Sequence, residues 1–194
     1  MLAGDATPEE SADYVKRMRK ETDRVHGILR DLLDFARPET DGMTVSAGPA
    51  RVADVMNDVV ALLKPQKRSR EVAIEVDAGD ALAAIAPERL TQVLLNLALN
   101  AGDAMEKTKD KTLRMRARVT GKDVRIEVED TGPGVPKSVR EKLFLPFVTT
   151  KEVGQGTGLG LAVCRGIVEA AKGRIDLDVE YTEGARFVVV LPKA

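Results

Sequence analysis

Apolar and polar positions along the chain fall into two regimes. Between residues 14 and 37, Val15, Met18, Thr22, Val25, Leu29, Leu32 and Ala36 recur three and four apart, the spacing of a heptad seam. Ile28 and Leu33 widen that stripe towards what a four-helix bundle buries. The pattern predicts one long bundle helix ending after Arg37, because Pro38 has no N–H and its ring blocks the preceding turn. A single helix cannot bury both flanks of such a stripe, so its partners are expected from a second copy or from upstream sequence. Residues 39–49 mix Thr, Asp, Gly, Ser and Pro and read as a linker with one short strand near 44–46. The expected organisation is a bundle helix over 1–40, a linker over 41–50 and a second domain over 51–194.

The second regime begins with a helix carrying Val52, Val55, Met56, Val59, Ala61, Leu62 and Leu63. Then the period switches to two in Val72/Ile74/Val76, Leu113/Met115/Ala117/Val119, Val124/Ile126/Val128 and Ile175/Leu177/Val179, with Phe187/Val189/Leu191 closing the chain. Strict alternation describes strands with one wet face. Helices around 51–64, 87–106 and 157–171 can cover the other face, so the expected fold is an α/β two-layer sandwich with a mixed, largely antiparallel sheet.

Composition narrows the function. With 194 residues, 43% of them hydrophobic, there is enough apolar surface for a core. The 30 Lys and Arg against 31 Asp and Glu give a net charge of -1, which offers no general attraction to nucleic acid or membrane; an anionic ligand needs a local site. Arg114, Arg116 and Arg118 have no interleaved aromatics, and Glu127 and Glu129 share their expected sheet face, so they read as an ion-paired surface and not as a nucleic-acid interface. Cys164 is the sole cysteine and has no disulfide partner within the chain. No signal peptide and no apolar run of about 18 residues is visible, which places this segment in the cytoplasm while leaving a membrane-anchored parent open.

Three polar features interrupt this apolar plan. In the helix from Pro87, Gln92, Asn96, Asn100 and Asp103 recur at steps of four, four and three. Two amide oxygens one turn apart, Asn96 and Asn100, suit Mg²⁺, which takes oxygen ligands and keeps waters and phosphates as its other partners; the same stripe also fits an amphipathic helix facing water. Asp130 continues the inward alternation of Val124, Ile126 and Val128, so it is expected to be buried, where an amine donor of a bound base would satisfy it. Alternatively it starts a turn at Thr131-Gly132-Pro133-Gly134. Finally, Gly154, Gly156, Gly158 and Gly160 alternate with Gln155, Thr157 and Leu159 before an apolar helix, an arrangement whose bare amides and helix N-terminus could cradle phosphate. No Gly-Lys-Ser/Thr follows, so this is not a P-loop. Lys151 could reach a terminal phosphate, or be solvated.

In this order and spacing, QVLLNLALNAGDA (92–104), DTGPGV (130–135), LFLPF (143–147) and GQGTGLGL (154–161) resemble the N, G1, F and G2 boxes of the sensor histidine-kinase catalytic domain. Allied ATPases include the chaperone Hsp90, DNA gyrase and MutL. The closing ARFVVVLP is similar to the end of that domain, and RVHGILRDLLDFARPE resembles the second helix of the kinase dimerization domain. The resemblance implies a Bergerat-type ATP-binding fold, ATP and Mg²⁺ as cofactors, and these roles. Asn100 coordinates Mg²⁺ with help from Asn96, Asp130 binds the adenine amino group, and Gly132 and Gly134 shape the adenine pocket. Phe144 and Phe147 anchor a lid. Lys151 and the segment Gly156, Thr157, Gly158, Leu159 and Gly160 approach the phosphates, with Asn96 and Lys151 as the catalytic pair.

Hydrolytic members of the superfamily resemble one another in placing a Glu where this chain has Asn96; an amide cannot take a proton from water, so transfer to a protein histidine is expected. His26 lies on the helix similar to the second dimerization helix and lacks the acidic residue that follows an H-box histidine, so the acceptor is expected outside this chain. Leu145 and Ala185 depart from the acidic residue and the Thr that the family often carries. The expected partners are a second copy through the N-terminal helix, the phosphoacceptor helix of the parent kinase, and a response-regulator receiver domain. A regulatory nucleotide-binding module without kinase activity, or a serine kinase of the anti-sigma-factor type, would share the pocket. The long heptad helix argues against the latter.

Overall fold

The computed structural model describes residues 11–19, 22, 48–65, 71–149, 151 and 157–194. Residues 11–19 are helical (α1), and Val15 and Met18 of the predicted seam stand exposed along them, as does Tyr14. Thr22 of the seam is helical as well; the rest of the predicted bundle helix beyond residue 19, with His26, and the predicted strand at 44–46 lie outside the described residues.

From residue 50 onward the elements are β1 (Ala50–Arg51), α2 (Val52–Leu63), β2 (Ala73–Asp77), β3 (Leu82–Ala83), α3 (Pro87–Ala104), β4 (Thr112–Thr120), β5 (Asp123–Asp130), α4 (Lys137–Arg140), α5 (Gly160–Ala170), β6 (Arg174–Leu177) and β7 (Arg186–Pro192). Five strands form one sheet in the order β2-β4-β5-β7-β6, and β1 pairs with β3. Among the described strands, only β2 and β4 run parallel. That pairing is possible because the connection between them carries α3, and a parallel crossover needs such a length of chain. The expected two-layer sandwich with a mixed, largely antiparallel sheet is what forms.

Helix α3 starts at Pro87, whose fixed φ suits a first helical turn. Its Leu90, Val93, Leu94, Leu97, Ala98 and Ala101 are buried, with the polar stripe on another face. α2 and α5 flank it, contributing Val55, Met56 and Val59 on one side and Cys164 and Val168 on the other. From the sheet, Leu113, Met115, Ala117, Val124, Ile126 and Val128 meet these side chains, which puts the single core between the helices and one sheet face.

The opposite face carries the charge expected there, paired across strands: Arg114 Nε donates to Glu75 at 2.9 Å, Arg118 bonds Asp77, and Arg116 reaches Glu129 at 3.3 Å. Glu129 was expected to be wet and is only 2% exposed, because Arg116 and Arg186 both close over it. One strand is shorter than its alternation suggests. β6 stops at Leu177 and leaves Val179 exposed, since the Asp178 carboxylate accepts the Glu180 amide at 3.1 Å and turns the chain.

Candidate functional site

The inward alternation along β5 delivers Asp130 to the helix-covered face at the strand's end, where it is 4% exposed. Its amide donates to the Ala185 carbonyl at 2.9 Å, extending the β5–β7 ladder by one rung. Its Oδ1 accepts two backbone N–H groups, Gly132 at 2.8 Å and Ala185 at 3.2 Å. Both bonds fall on one oxygen, so Oδ2 is the oxygen left to accept from a ligand. Burial pushes the Asp130 pKa up, and the two amides offset part of that rise. The following Thr131 fixes the turn: its hydroxyl donates to the Asp110 carbonyl at 2.7 Å and accepts the Thr112 amide at 3.0 Å. Gly132 lies against Ala104 at the end of α3, where a Cβ would meet the Ala104 Cβ at 3.3 Å, so the glycine-rich turn touches the helix that bears the asparagines.

On that helix, Asn96 and Asn100 are half-buried, one turn apart. Lys151 Nζ lies 3.3 Å from Asn100 Oδ1 and 2.5 Å from Asp103 Oδ2. Thus three members of the predicted constellation, Asn100, Asp103 and Lys151, do converge, although Lys151 lies some fifty residues beyond the other two in the chain. Asn96 faces α5: a Cβ on Gly160, the first residue of α5, would stand 3.9 Å from its Cγ. Cys164, one turn into α5, is fully buried beside Asn96 with its thiol directed at the Val93 carbonyl at 3.7 Å, and burial pushes its pKa up to about 12. A thiolate is the reactive form, so Cys164 is expected to resist a thiol-specific reagent in the native protein at pH 8 and to react fully once unfolded, which a colorimetric thiol assay with and without denaturant measures.

The remaining predicted residues form the seam between the F-box turn and α5. Phe147 N–H donates to the Gly158 carbonyl at 3.0 Å, and Gly158 has φ +67°, a region open to glycine, with the Phe147 backbone so close that any Cβ would stand 2.6 Å from it. Thr157 Oγ1 accepts the Leu159 amide at 3.3 Å, and the Leu159 side chain is buried in the core. Phe144 packs edge-to-face on Phe187, with ring centroids 6.4 Å apart, which fixes this turn to β7. Phe147 does the opposite: it is 69% exposed with φ 65°. Gly134 lies against the Gly184 carbonyl. Gly156 lies outside the described residues.

Two contributors were not assigned from the sequence. The Ala185 amide and Gly184 act through backbone, so no side-chain pattern announces them; the one signal is a glycine placed immediately ahead of the closing strand, in Glu183-Gly184-Ala185. The Lys151 link to Asp103 was likewise invisible, since the helical stripe identifies Asp103 and says nothing of what it meets.

The chain is an ATPase domain, built as a five-stranded mixed sheet under three helices with a buried carboxylate at the end of β5 and an asparagine stripe on α3. Residues 85–194 match the histidine kinase-, DNA gyrase B-, and HSP90-like ATPase family, and the chain belongs to that family. Its relatives are sensor histidine kinases. ZraS of Salmonella typhi is 36% identical over 186 residues, covering 94% of this chain and 38% of ZraS. The sensor kinase CckA of Brucella abortus is 34% identical over 208 residues, covering 100% of this chain and 22% of CckA. Among solved structures, full-length ShkA in complex with AMPPNP superposes with a TM-score of 0.76 at 30% identity, over 98% of this chain and 40% of ShkA. The resemblance and the fold class read from the sequence are therefore borne out, and the chain spans less than half the length of each of these proteins. No helix among the described residues is long and apolar enough to cross a membrane.

Proposed function

We propose that this chain is the catalytic region of a sensor histidine kinase, which binds Mg²⁺-ATP and moves its γ-phosphoryl group to a histidine nitrogen. The observation that carries the proposal is the convergence of Asn100, Asp103 and Lys151 beside Asn96. The Asn100 Oδ1 already accepts a cation, the Lys151 ammonium at 3.3 Å, so this oxygen is turned to where positive charge is held. A neutral amide pair supplemented by a nearby carboxylate fits Mg²⁺, with Asn100 and Asn96 as its protein ligands. Bound there, the metal would neutralise charge on the nucleotide phosphates.

The chain's own groups supply positioning. Asp130 Oδ2 accepts the adenine amino N–H, Gly132 and Gly134 leave room for the flat ring, and the segment Gly156, Thr157, Gly158, Leu159 and Gly160, which leads into the N-terminus of α5, approaches the phosphates. Lys151 exchanges Asp103 for a terminal phosphate oxygen. Phe144 holds the base of the lid and Phe147 is free to pack when it closes. In the transfer the histidine nitrogen forms its bond to γ-phosphorus as the bond to the β,γ-bridging oxygen breaks, releasing ADP. Asn96 cannot act as base towards water, so hydrolysis stays slow. The phosphoacceptor histidine belongs to a helix outside this chain, with His26 the internal alternative. Residues 1–40 serve as part of a dimerization helix joining two copies, 41–50 as linker and 51–194 as the catalytic domain. The phosphate passes on to a response-regulator receiver domain, in the cytoplasm.

The test incubates the chain with Mg²⁺ and γ-labelled ATP, alone and with a supplied dimerization helix carrying an H-box histidine. Bound nucleotide and acid-labile protein label are followed separately. Binding by the chain alone and label on the supplied helix are expected. Binding with no label on any helix would make the chain a regulatory nucleotide module, and label on the chain itself that disappears in His26→Gln would place the acceptor at His26.

A further inference from the structure

Asp130 sits at the end of the β5–β7 ladder, one rung beyond the last registered pair. One residue before it, on the opposite face of the sheet, Glu129 is registered directly against Arg186 of β7. Glu129 is a charged side chain with 2% exposure, and burying a carboxylate is costly unless it is paired. Here it is paired twice. Arg186 Nε donates to Oε1 at 2.9 Å, and Arg116 Nη1 lies 3.3 Å from both carboxylate oxygens.

Arg186 also holds the loop that ends at Ala185. Its Nη1 donates to Asp178 Oδ2 at 3.1 Å, and the Asp178 amide donates back to the Arg186 carbonyl at 2.8 Å, so the two ends of the segment 178–186 are clamped together. Between them the Tyr181 ring lies under the guanidinium, 4.1 Å from its carbon to the ring centroid, and Glu183 approaches Arg114 at 3.8 Å. The clamped loop then delivers the Ala185 N–H to Asp130 Oδ1 and the Gly184 carbonyl to Gly134.

We infer that the Glu129–Arg186–Asp178 cluster on the outer sheet face is a positioning device for the adenine end of the nucleotide site, with Arg186 its central member. The inference rests on the assignment of Asp130 as the adenine acceptor. It follows from alternation along two paired strands: the outer pair Glu129–Arg186 locks the last registered rung, and the next residues, Asp130 and Ala185, turn inward with their mutual bonds already set. Arg186 meets no ligand itself. It acts by fixing which of the two Asp130 oxygens is spent on the backbone and which is offered.

The test compares Arg186→Met, which keeps an unbranched stem and removes the charge, with Arg118→Met, which removes an ion pair of the same face at Asp77, far along the β4–β5 hairpin. In Arg186→Met, ATP affinity is expected to fall about tenfold, the equivalent of weakening one hydrogen bond by about 1.4 kcal/mol. In the absence of nucleotide the Ala185 amide should exchange its hydrogen faster, while the Val93 and Leu94 amides of α3 stay protected. Arg118→Met should leave ATP affinity and Ala185 exchange unchanged. Should Arg186→Met fail to fold, Glu129→Gln removes the paired charge at constant size and is expected to move the same two readouts. Unchanged ATP affinity and unchanged Ala185 exchange in a folded Arg186→Met would overturn the inference, as would equal losses in Arg118→Met. A wild-type chain that binds no ATP would instead overturn the functional reading, and the nucleotide-free exchange measurement still decides the positioning role.

Discussion

Replacing Asp130 by Asn should lower ATP affinity by about a hundredfold or more, equivalent to about 3 kcal/mol, without loss of fold. The two backbone amides at 2.8 and 3.2 Å converge on Oδ1, and an asparagine can satisfy them only by placing its own oxygen there. Its NH₂ group then points where Oδ2 pointed and meets the adenine amino group donor to donor. Rotating the amide to avoid this would set its NH₂ against two N–H groups, which is worse. The fold should not suffer, because burial pushes the Asp130 pKa up: the native protein holds that proton more tightly than the unfolded chain, so the ionised carboxylate costs stability as pH rises above the ordinary aspartate range, and a neutral amide avoids that cost. Calorimetric titration with ATP, together with a thermal melt, checks both halves. Wild-type affinity in this variant would remove Asp130 from the adenine site.

Gly184→Val should do the reverse, damaging fold and site together. A Cβ at position 184 would lie 1.9 Å from the Asp130 carbonyl oxygen, inside any permitted contact, and tightly against Oδ1 at 3.0 Å, and the main obstacle is backbone that cannot swing aside. The loop has to retreat, which breaks the Asp130–Ala185 rung and withdraws the Ala185 amide from the carboxylate. Overpacking of this kind costs about 3 kcal/mol, and for a chain of this length that corresponds to a melting point about 8 °C lower. ATP binding is expected to fall below detection. A melt and a titration on the same preparation test it, and a variant with the wild-type melting point would show that the loop is not packed on Asp130. The contrast between the two variants is diagnostic: Asp130→Asn separates binding from stability, whereas Gly184→Val cannot.

Much of this was legible in the order of residues. Period-two runs located β4, β5 and β7, since an element with one buried face must alternate wherever it lies in the fold. The same alternation, carried one step beyond Val128, placed Asp130 inside before any contact was known. Val179 shows where the rule fails. Its alternation with Ile175 and Leu177 is intact, but a local bond, Asp178 to the Glu180 amide, competes with the ladder and wins, and nothing in hydrophobic spacing registers that competition. Glu129 shows a second failure, for alternation assigns a face and says nothing of how well long neighbouring side chains will cover it.

By itself, then, the sequence determined the sandwich, the inward placement of Asp130 and the asparagine stripe of α3, because these follow from periodicities that each element carries alone. Only the tertiary structure decided that Lys151 would meet Asn100 and Asp103, that Oδ1 of Asp130 would be taken up by Gly132 and Ala185, and that Glu129 would be sealed by Arg116 and Arg186. Apart from the Asp130–Gly132 bond, which closes a local turn, each of those is a contact between separate segments of the chain, one of them made by a backbone amide common to every residue. Such contacts are set by strand register and loop path, which no local pattern encodes.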